Sequence, residues 1–276
     1  MQLFDNSGRF CGVPQPPVSS RILLKQPEID YRSVLESLYS QGFPRANPKN
    51  YIAPMGADGF QQRIEVLKEQ VRSDPRVSTI LNGVHLPLLV PQLPPQYYGS
   101  CWDRLLGRSN DYGTLLRKVF MPRVEDAHWR VYPRRRFTNH LDKMLAHQLS
   151  IVPESRHDRL VERMSQGHVV GIFFPMALVG FSALQCRHLM ASLPENFLLS
   201  GGFDLATALV CYPKVLLRNP RKPEMTMAAL SWRKSARQLI SVKTWSSGVT
   251  VSNEADVSYE LSSFSAGLFV MEAPKP

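Results

Sequence analysis

The chain has 276 residues, of which 43% are hydrophobic and 20% are charged. This composition is typical of one or two globular domains, and it excludes a disordered chain, a collagen and a long coiled coil. The chain holds 33 Lys and Arg side chains against 23 Asp and Glu, a net charge of +10 at pH 7, with a sequence pI near 9.6. Such an excess permits binding to a polyanion without requiring it.

The first residues contain no basic start followed by an apolar run, so the sequence predicts no secretory signal. The four cysteines are widely spaced and show neither a disulfide framework nor a metal-binding pattern. They are Cys11, Cys101, Cys186 and Cys211. We therefore expect free thiols and a cytoplasmic location.

The first two predicted helices lie in the N-terminal third of the chain. Residues 29–39 place apolar side chains near helical spacing, and a Gly-Phe-Pro sequence at 42–44 ends this helix. The second helix begins at Asp58, which is expected to form a capping box with Gln61, and it ends at Asp74 before Pro75. Its apolar stripe consists of Phe60, Ile64, Leu67 and Val71.

A hairpin and two proline-rich segments are predicted around these helices. Asn82 and Gly83 lie between two apolar runs and predict a tight β-turn, and Pro87 places the second strand at a sheet edge. Residues 14–17 and 91–95 are interpreted as stiff loops, with polyproline II segments that dock a partner as the alternative.

The middle of the chain predicts further helices and one buried strand. The longest uncharged stretch, residues 167–186, contains Pro175 and three glycines. We expect a buried strand over 169–174 and a helix from Met176, and no membrane span. A short buried helix over 203–212 ends at Pro213. Residues 139–166 predict two more helices, with apolar stripes formed by Leu141, Met144, Leu145 and Leu149 and by Leu160, Val161 and Met164.

The C-terminal end changes to β-type patterning. Residues 239–245, 248–252, 257–261 and 267–271 predict an antiparallel β-meander. Helices in the N-terminal and middle regions with strands at the end give the fold class α+β. We expect one compact domain over 1–276; any subdivision would separate a Pro-rich, basic part over 1–136 from a helical and β-meander part over 137–276.

Two segments carry the positive charge. Residues 101–136 hold nine basic and four acidic side chains, and residues 214–243 hold eight and one. Guanidinium groups alternate with aromatic rings in the first segment, a pattern typical of proteins that bind phosphates and stack on unpaired bases. The residues predicted to bind nucleic acid are Trp129, Arg130, Tyr132, Arg134, Arg135, Arg136, Phe137, Lys214, Arg218, Arg221, Lys222, Trp232, Arg233, Lys234 and Arg237.

The sequence contains no complete match to the catalytic motifs considered. The chain contains neither a P-loop nor a dinucleotide-binding fingerprint, and the segment around Ser182 lacks the final glycine of a nucleophile elbow. Ser200-Gly201-Gly202 is interpreted as a turn, and Glu125 and Asp126 as partners of neighbouring arginines. The sequence therefore predicts no catalytic residue, no cofactor and no metal site.

The favoured hypothesis is a non-enzymatic nucleic-acid-binding protein or nucleoprotein subunit, with RNA and DNA unresolved. The first alternative is a structural subunit of a larger multi-subunit complex, in which the basic segments contact an acidic protein partner. The second is an enzyme whose site is assembled from residues distant in sequence.

Overall fold

The computed structural model describes residues 2–14, 24–40, 55–93, 111–141, 144–218, 223–258 and 264–272. Helices and a large mixed sheet are both present, which confirms the α+β class. Helices α3 and α4 are joined without a break by a π-helical segment, Leu116–Phe120. The helices are α1 (Tyr31–Ser40), α2 (Ala57–Ser73), α3 (Asp111–Leu115), α4 (Met121–Val131), α5 (His157–Gln166), α6 (Ala183–Leu189), α7 (Gly202–Cys211) and α8 (Pro213–Leu216).

Most strands belong to one sheet with the order β1-β4-β10-β6-β8-β9-β2, in which β5 also pairs with β10. The β10–β6 and β9–β2 pairs are parallel, and the others are antiparallel. Strands β3 and β7 form a separate pair. The strands are β1 (Leu86–Val90), β2 (Arg136–Asn139), β3 (Leu149–Ile151), β4 (Val169–Val179), β5 (Phe197–Leu199), β6 (Glu224–Thr226), β7 (Leu230–Trp232), β8 (Gln238–Thr244), β9 (Gly248–Asp256) and β10 (Phe264–Met271).

One hydrophobic core extends from Leu3 to Met271 and includes residues on both sides of position 136. Every residue of β4 is buried, as an uninterrupted apolar run requires when both faces of a strand are covered. Helix α7 is buried from Gly202 to Val210 and packs against β1, α1 and α4. The polar groups at the start of α7 therefore lie inside the protein.

The helices with the clearest apolar spacing are confirmed. Helices α1 and α2 occupy the predicted regions, and Phe60, Ile64, Leu67 and Val71 are the buried side chains of α2. Helices α5 and α7 are also found where they were expected. At the C-terminal end, β8 and β9 form the expected antiparallel pair, and β1, which contains Pro87, lies at one end of the sheet order.

The predicted helix from Met176 is wrong, because β4 continues through Pro175 as far as Val179. The register of β4 against β10 shifts at this point, so that three residues of β4 lie opposite one residue of β10. Such a bulge accommodates a proline, which has no N–H to donate to the ladder. The Pro175 carbonyl instead accepts a hydrogen bond from the Ser265 hydroxyl at 2.6 Å.

The predicted hairpin at Asn82-Gly83 is also wrong. Ser78–Asn82 is a 3₁₀ helix, and Gly83 closes it with φ of −80° and an N–H donated to the Ile80 carbonyl. The capping box at Asp58 does not form, because the N-cap of α2 is Gly56, two residues before Asp58, and it forms no side-chain hydrogen bond. In both places a local sequence pattern predicts a specific turn or cap, and the backbone adopts another conformation.

The helix predicted around Leu141–Leu149 is replaced by turns that lead into β3. Leu141, Leu145 and Leu149 are buried there as expected, but Met144 is exposed.

At the C-terminus, β10 does not continue the meander; it pairs with β4, β5 and β6. The predictions at 15–17, 42–44, 94–95, 259–261 and Cys101 lie outside the described residues. Within the part that the structure describes, no helix is long and apolar enough to cross a membrane.

Candidate functional site

The two basic segments meet where α4 leads into β2. Arg135 lies in the turn between these elements, and its Nη1 donates a hydrogen bond to the Arg218 carbonyl at 3.0 Å. Arg218 follows the short helix α8, which packs against α4 and presents Lys214 to solvent. Positive charge from segments 83 residues apart is thus gathered on one side of the protein.

A cation–π contact fixes the position of Arg135. Its guanidinium carbon lies 5.0 Å from the centre of the Tyr132 ring. Burial raises the pKa of Tyr132, and the nearby charges of Arg135 and Arg218 oppose this rise. The tyrosine is therefore a neutral support for the arginine, which is itself half-buried.

His128 lies in the apolar layer beneath this surface. It is buried, and its imidazole packs against Trp129, Tyr132 and Phe137 with ring centres 5.4 to 5.9 Å apart. Burial lowers its pKa, and the charge of Arg135 lowers it further. His128 is neutral at pH 7 and adds no charge to the surface above it.

The structure separates the predicted binding residues by exposure. Tyr132 and Arg135 are half-buried, and Arg221 and Lys222 lie outside the described residues. Phe137 and Trp232 are buried at 9% and 2% exposure, and their rings pack in the core. The exposed residues are Trp129, Arg130, Arg134, Arg136, Lys214, Arg218, Arg233, Lys234 and Arg237.

The second basic segment is divided by the fold. Lys214 and Arg218 lie beside α4, whereas Arg233, Lys234 and Arg237 precede β8. Arg237 lies at the start of this strand and has Asp256 as a neighbour at 3.7 Å. A seven-residue strand is roughly 20 Å long, so these three cations lie well away from the end of β8 that approaches β2. Among the described residues, the cations of the second basic segment therefore form two separate groups.

A second polar cluster lies in the interior, at the N-terminus of α7. The Tyr112 hydroxyl accepts hydrogen bonds from the amides of Gly202 and Phe203, at 2.8 and 3.2 Å. It lies 2.8 Å from Nε2 of His157, to which it donates. Nδ1 of His157 is 3.9 Å from Oδ1 of Asp204, and this carboxyl oxygen accepts from the Gly201 amide at 2.9 Å.

Burial determines the charges of this cluster. It lowers the pKa of His157 to about 3, so the imidazole is neutral and free to accept from Tyr112. Burial raises the pKa of Asp204 to about 7, although the Ser200 hydroxyl and the Gly201 amide offset part of the rise. The hydroxyl of Tyr112 and the carboxyl of Asp204 satisfy backbone amides that a helix N-terminus otherwise leaves unpaired.

The sequence predicts a turn at Ser200-Gly201-Gly202 and contains no local signal that connects it with Tyr112 or His157. The three side chains come from α3, α5 and α7, as an enzyme site assembled from distant residues requires. However, His157 and Asp204 have 0% exposure, so a substrate does not reach them. The arrangement is a buried helix cap.

The other catalytic candidates take structural roles. Ser182 is the N-cap of α6, where its hydroxyl accepts from the Gln185 amide. Cys186 is buried, and burial raises its pKa to about 12. Glu125 accepts from the Trp129 indole at 3.4 Å, and Arg130 donates to Ser40. Comparisons with protein-family models, curated proteins and solved structures give no match to this chain.

Proposed function

We propose that this chain binds nucleic acid through the surface where its two basic segments meet. We call this the basic surface; it consists of Arg130, Arg134, Arg135, Arg136, Lys214 and Arg218. The observation that carries the proposal is the hydrogen bond from Arg135 to the Arg218 carbonyl, because it joins cations from two distant segments. Clustered Lys and Arg side chains neutralise backbone phosphates and release counterions.

The charge of the basic surface is uncompensated, which supports the proposal. None of its six cations forms an ion pair with another described residue, whereas Arg63, Arg72 and Arg76 elsewhere are paired with carboxylates. Leaving like charges together costs stability, so a surface of this kind fits a protein that meets an anionic partner.

An exposed aromatic ring beside the cations favours nucleic acid over an acidic protein. Trp129 is 39% exposed on α4, next to Arg130. Indole rings stack on unpaired bases, while planar guanidinium groups match phosphate oxygens. An acidic protein partner within a larger complex would contact the same charges but would not need the ring. The test must therefore distinguish nucleic acid from an acidic protein.

The free thiols of Cys11, Cys186 and Cys211 support a reducing, cytoplasmic setting.

Fluorescence anisotropy with labelled single-stranded DNA, single-stranded RNA and duplex DNA at several salt concentrations tests the proposal. Neutralisation of six phosphates predicts that log K falls with log[salt] with a slope of about −4 for a single strand and about −5 for a duplex. The triple variant Arg134→Ala, Arg136→Ala, Arg218→Ala is expected to bind more weakly and with a shallower slope.

Arg72→Ala is the matched control, because Arg72 is an exposed cation whose partner, Glu69, lies on the same helix. It is expected to bind as the wild type does. Failure of the wild type to bind any of the three nucleic acids at low salt overturns the proposal. Equal affinity for polyglutamate points to the acidic-partner alternative instead.

A further inference from the structure

A groove lies at the end of the sheet where β2, β8 and β9 meet. Its volume is about 440 Å³, and its lining includes Arg136, Thr138, His140, Trp245 and Thr250. This volume falls within the range of small-ligand sites. The groove begins at Arg136, the first residue of β2, which directly follows the turn that contains Arg135.

Trp245 dominates one wall of the groove. It follows β8 directly and is 47% exposed, the second most exposed of the large hydrophobic side chains in the described part of the chain. The Lys243 ammonium lies 4.2 Å from the centre of the indole ring. This cation–π contact restrains the indole ring beside the groove.

The opposite wall is held in place by a close approach of two strands. The Arg136 amide donates to the Ser247 carbonyl at 3.0 Å, and Arg136 is paired with Gly248 in the parallel ladder. A Cβ atom at position 248 would lie 2.0 Å from the Arg136 carbonyl oxygen. Only glycine therefore allows β2 to come so near, and this approach places Arg136 opposite the Trp245 turn.

The floor of the groove is polar. Thr138 pairs with Thr250, and both line the groove, so two hydroxyl-bearing side chains lie side by side in it. Lys243 pairs with Thr250 on the next strand and lies beside this lining. Glu224 lies 3.5 Å from the Lys243 ammonium and offsets its charge. The guanidinium of Arg136 is thus the uncompensated cation of the groove, and the indole is its exposed ring.

We propose that this groove is a nucleotide subsite, in which the exposed surface of Trp245 stacks on one base of a single-stranded nucleic acid and Arg136 binds the adjoining phosphate. The inference rests on the proposed function, since the strand would continue from the groove onto the basic surface. A base in a duplex is stacked on its neighbours and offers no free face, so the subsite favours single strands.

The test compares wild type, Trp245→Ala and Trp245→Phe for binding to a labelled oligothymidylate of about twelve nucleotides, within the usual range of single-strand site sizes. Loss of the indole is expected to weaken binding about tenfold. It should leave the salt dependence unchanged, because no charge is removed. Trp245→Phe retains a ring and is expected to recover most of the affinity.

Fluorescence quenching supplies a second readout that does not depend on Trp245→Ala being folded. Stacking of a base on Trp245 is expected to quench its emission, so the quenching should decrease in Trp245→Phe, which keeps the other three tryptophans, including the exposed Trp129. Quenching that persists unchanged in Trp245→Phe overturns the subsite. Equal binding by wild type and a folded Trp245→Ala variant also overturns it.

The remaining arms identify the source of the nucleotide and separate the two proposals. Binding of adenosine monophosphate much weaker than that of the oligonucleotide supports a strand, whereas equally tight binding assigns the groove to free nucleotides and overturns the inference. A wild-type chain that binds no nucleic acid contradicts both proposals. A wild type that binds, with variants at Trp245 indistinguishable from it, contradicts the subsite alone.

Discussion

The Tyr112 hydroxyl lies 2.8 Å from Nε2 of His157, in the interior of the protein. It accepts from two amides at the start of α7, those of Gly202 and Phe203. Because its own hydrogen remains available, it donates a hydrogen bond to Nε2 of the neutral imidazole. A side chain of α3 therefore caps α7 and orients a histidine of α5, so that one hydroxyl connects three helices.

Replacing Tyr112 by Phe is expected to destabilise the fold. The substitution removes only the hydroxyl, leaving two buried amides and one imidazole nitrogen without this partner, at a cost of about 1–3 kcal/mol. Urea unfolding followed by circular dichroism measures the change. Tyr31→Phe is the control, since the Tyr31 hydroxyl contacts Glu65 in a half-exposed place, and a small effect is expected. Equal effects in the two variants would argue against the cap.

The pH dependence of stability is expected to change in opposite directions in two variants of this cluster. Burial raises the pKa of Asp204 to about 7, so the folded chain keeps a proton that the unfolded chain releases near pH 4. This group lowers stability as pH rises from about 4 to 7. Burial lowers the pKa of His157 to about 3, against about 6.5 when unfolded, so this group raises stability as pH rises from about 3 to 6.5.

The two contributions oppose each other between about pH 4 and 6.5 in the wild type. Asp204→Asn removes the first, and stability should then increase with pH across this window. His157→Gln removes the second, and the slope should become more negative than that of the wild type. Each slope has a limit of about 1.4 kcal/mol per pH unit. Urea titrations at about pH 4.5, 5.5 and 6.5 measure both slopes. Slopes that do not move in opposite directions from the wild type in the two variants would contradict the assigned protonation states.

Gly201→Ala is expected to disrupt the same cluster by steric contact. A Cβ atom there would lie 2.4 Å from Nε2 of His157, and the buried ring has no room to withdraw. Overpacking of this kind costs about 1–3 kcal/mol. Gly56→Ala is the matched control, because nothing lies within 4 Å of its Cβ position. A thermal unfolding midpoint that falls only in the Gly201 variant is the expected result.

The sequence specifies this fold unevenly. Regular spacing predicts α2 because Phe60, Ile64, Leu67 and Val71 form one stripe, and the structure buries all four. The apolar residues Leu141, Leu145 and Leu149 have similar spacing, but turns and the strand β3 bury them equally well. Periodicity reports which side chains are buried and not which backbone buries them.

Tertiary contacts decide the remaining elements. The strand β4 passes through Pro175 because a bulge against β10 absorbs it, and a local pattern contains no information about that partner. The members of the buried cluster, Tyr112, His157 and Asp204, are too far apart in sequence for any spacing rule. For the groove a local signal did exist, since Lys243 and Trp245 are two residues apart on a predicted strand and therefore share a face.

The division of the second basic segment gives a comparison between two arginines. Arg218 belongs to the basic surface through the contact of its carbonyl with Arg135. Arg237 lies beyond the far end of β8, with its side chain 83% exposed and Asp256 nearby. Arg218→Ala is expected to weaken binding to single-stranded nucleic acid and to reduce the salt slope by about 0.7, the contribution of one phosphate contact.

Arg237→Ala removes the same charge from the chain and is expected to change neither quantity. Anisotropy titrations at three or more salt concentrations measure both variants under the same conditions. If the two substitutions weaken binding equally, the nucleic acid responds to total charge, and the arrangement of Arg135 and Arg218 has no special role. If only Arg237→Ala weakens binding, the contact surface lies at the other end of β8.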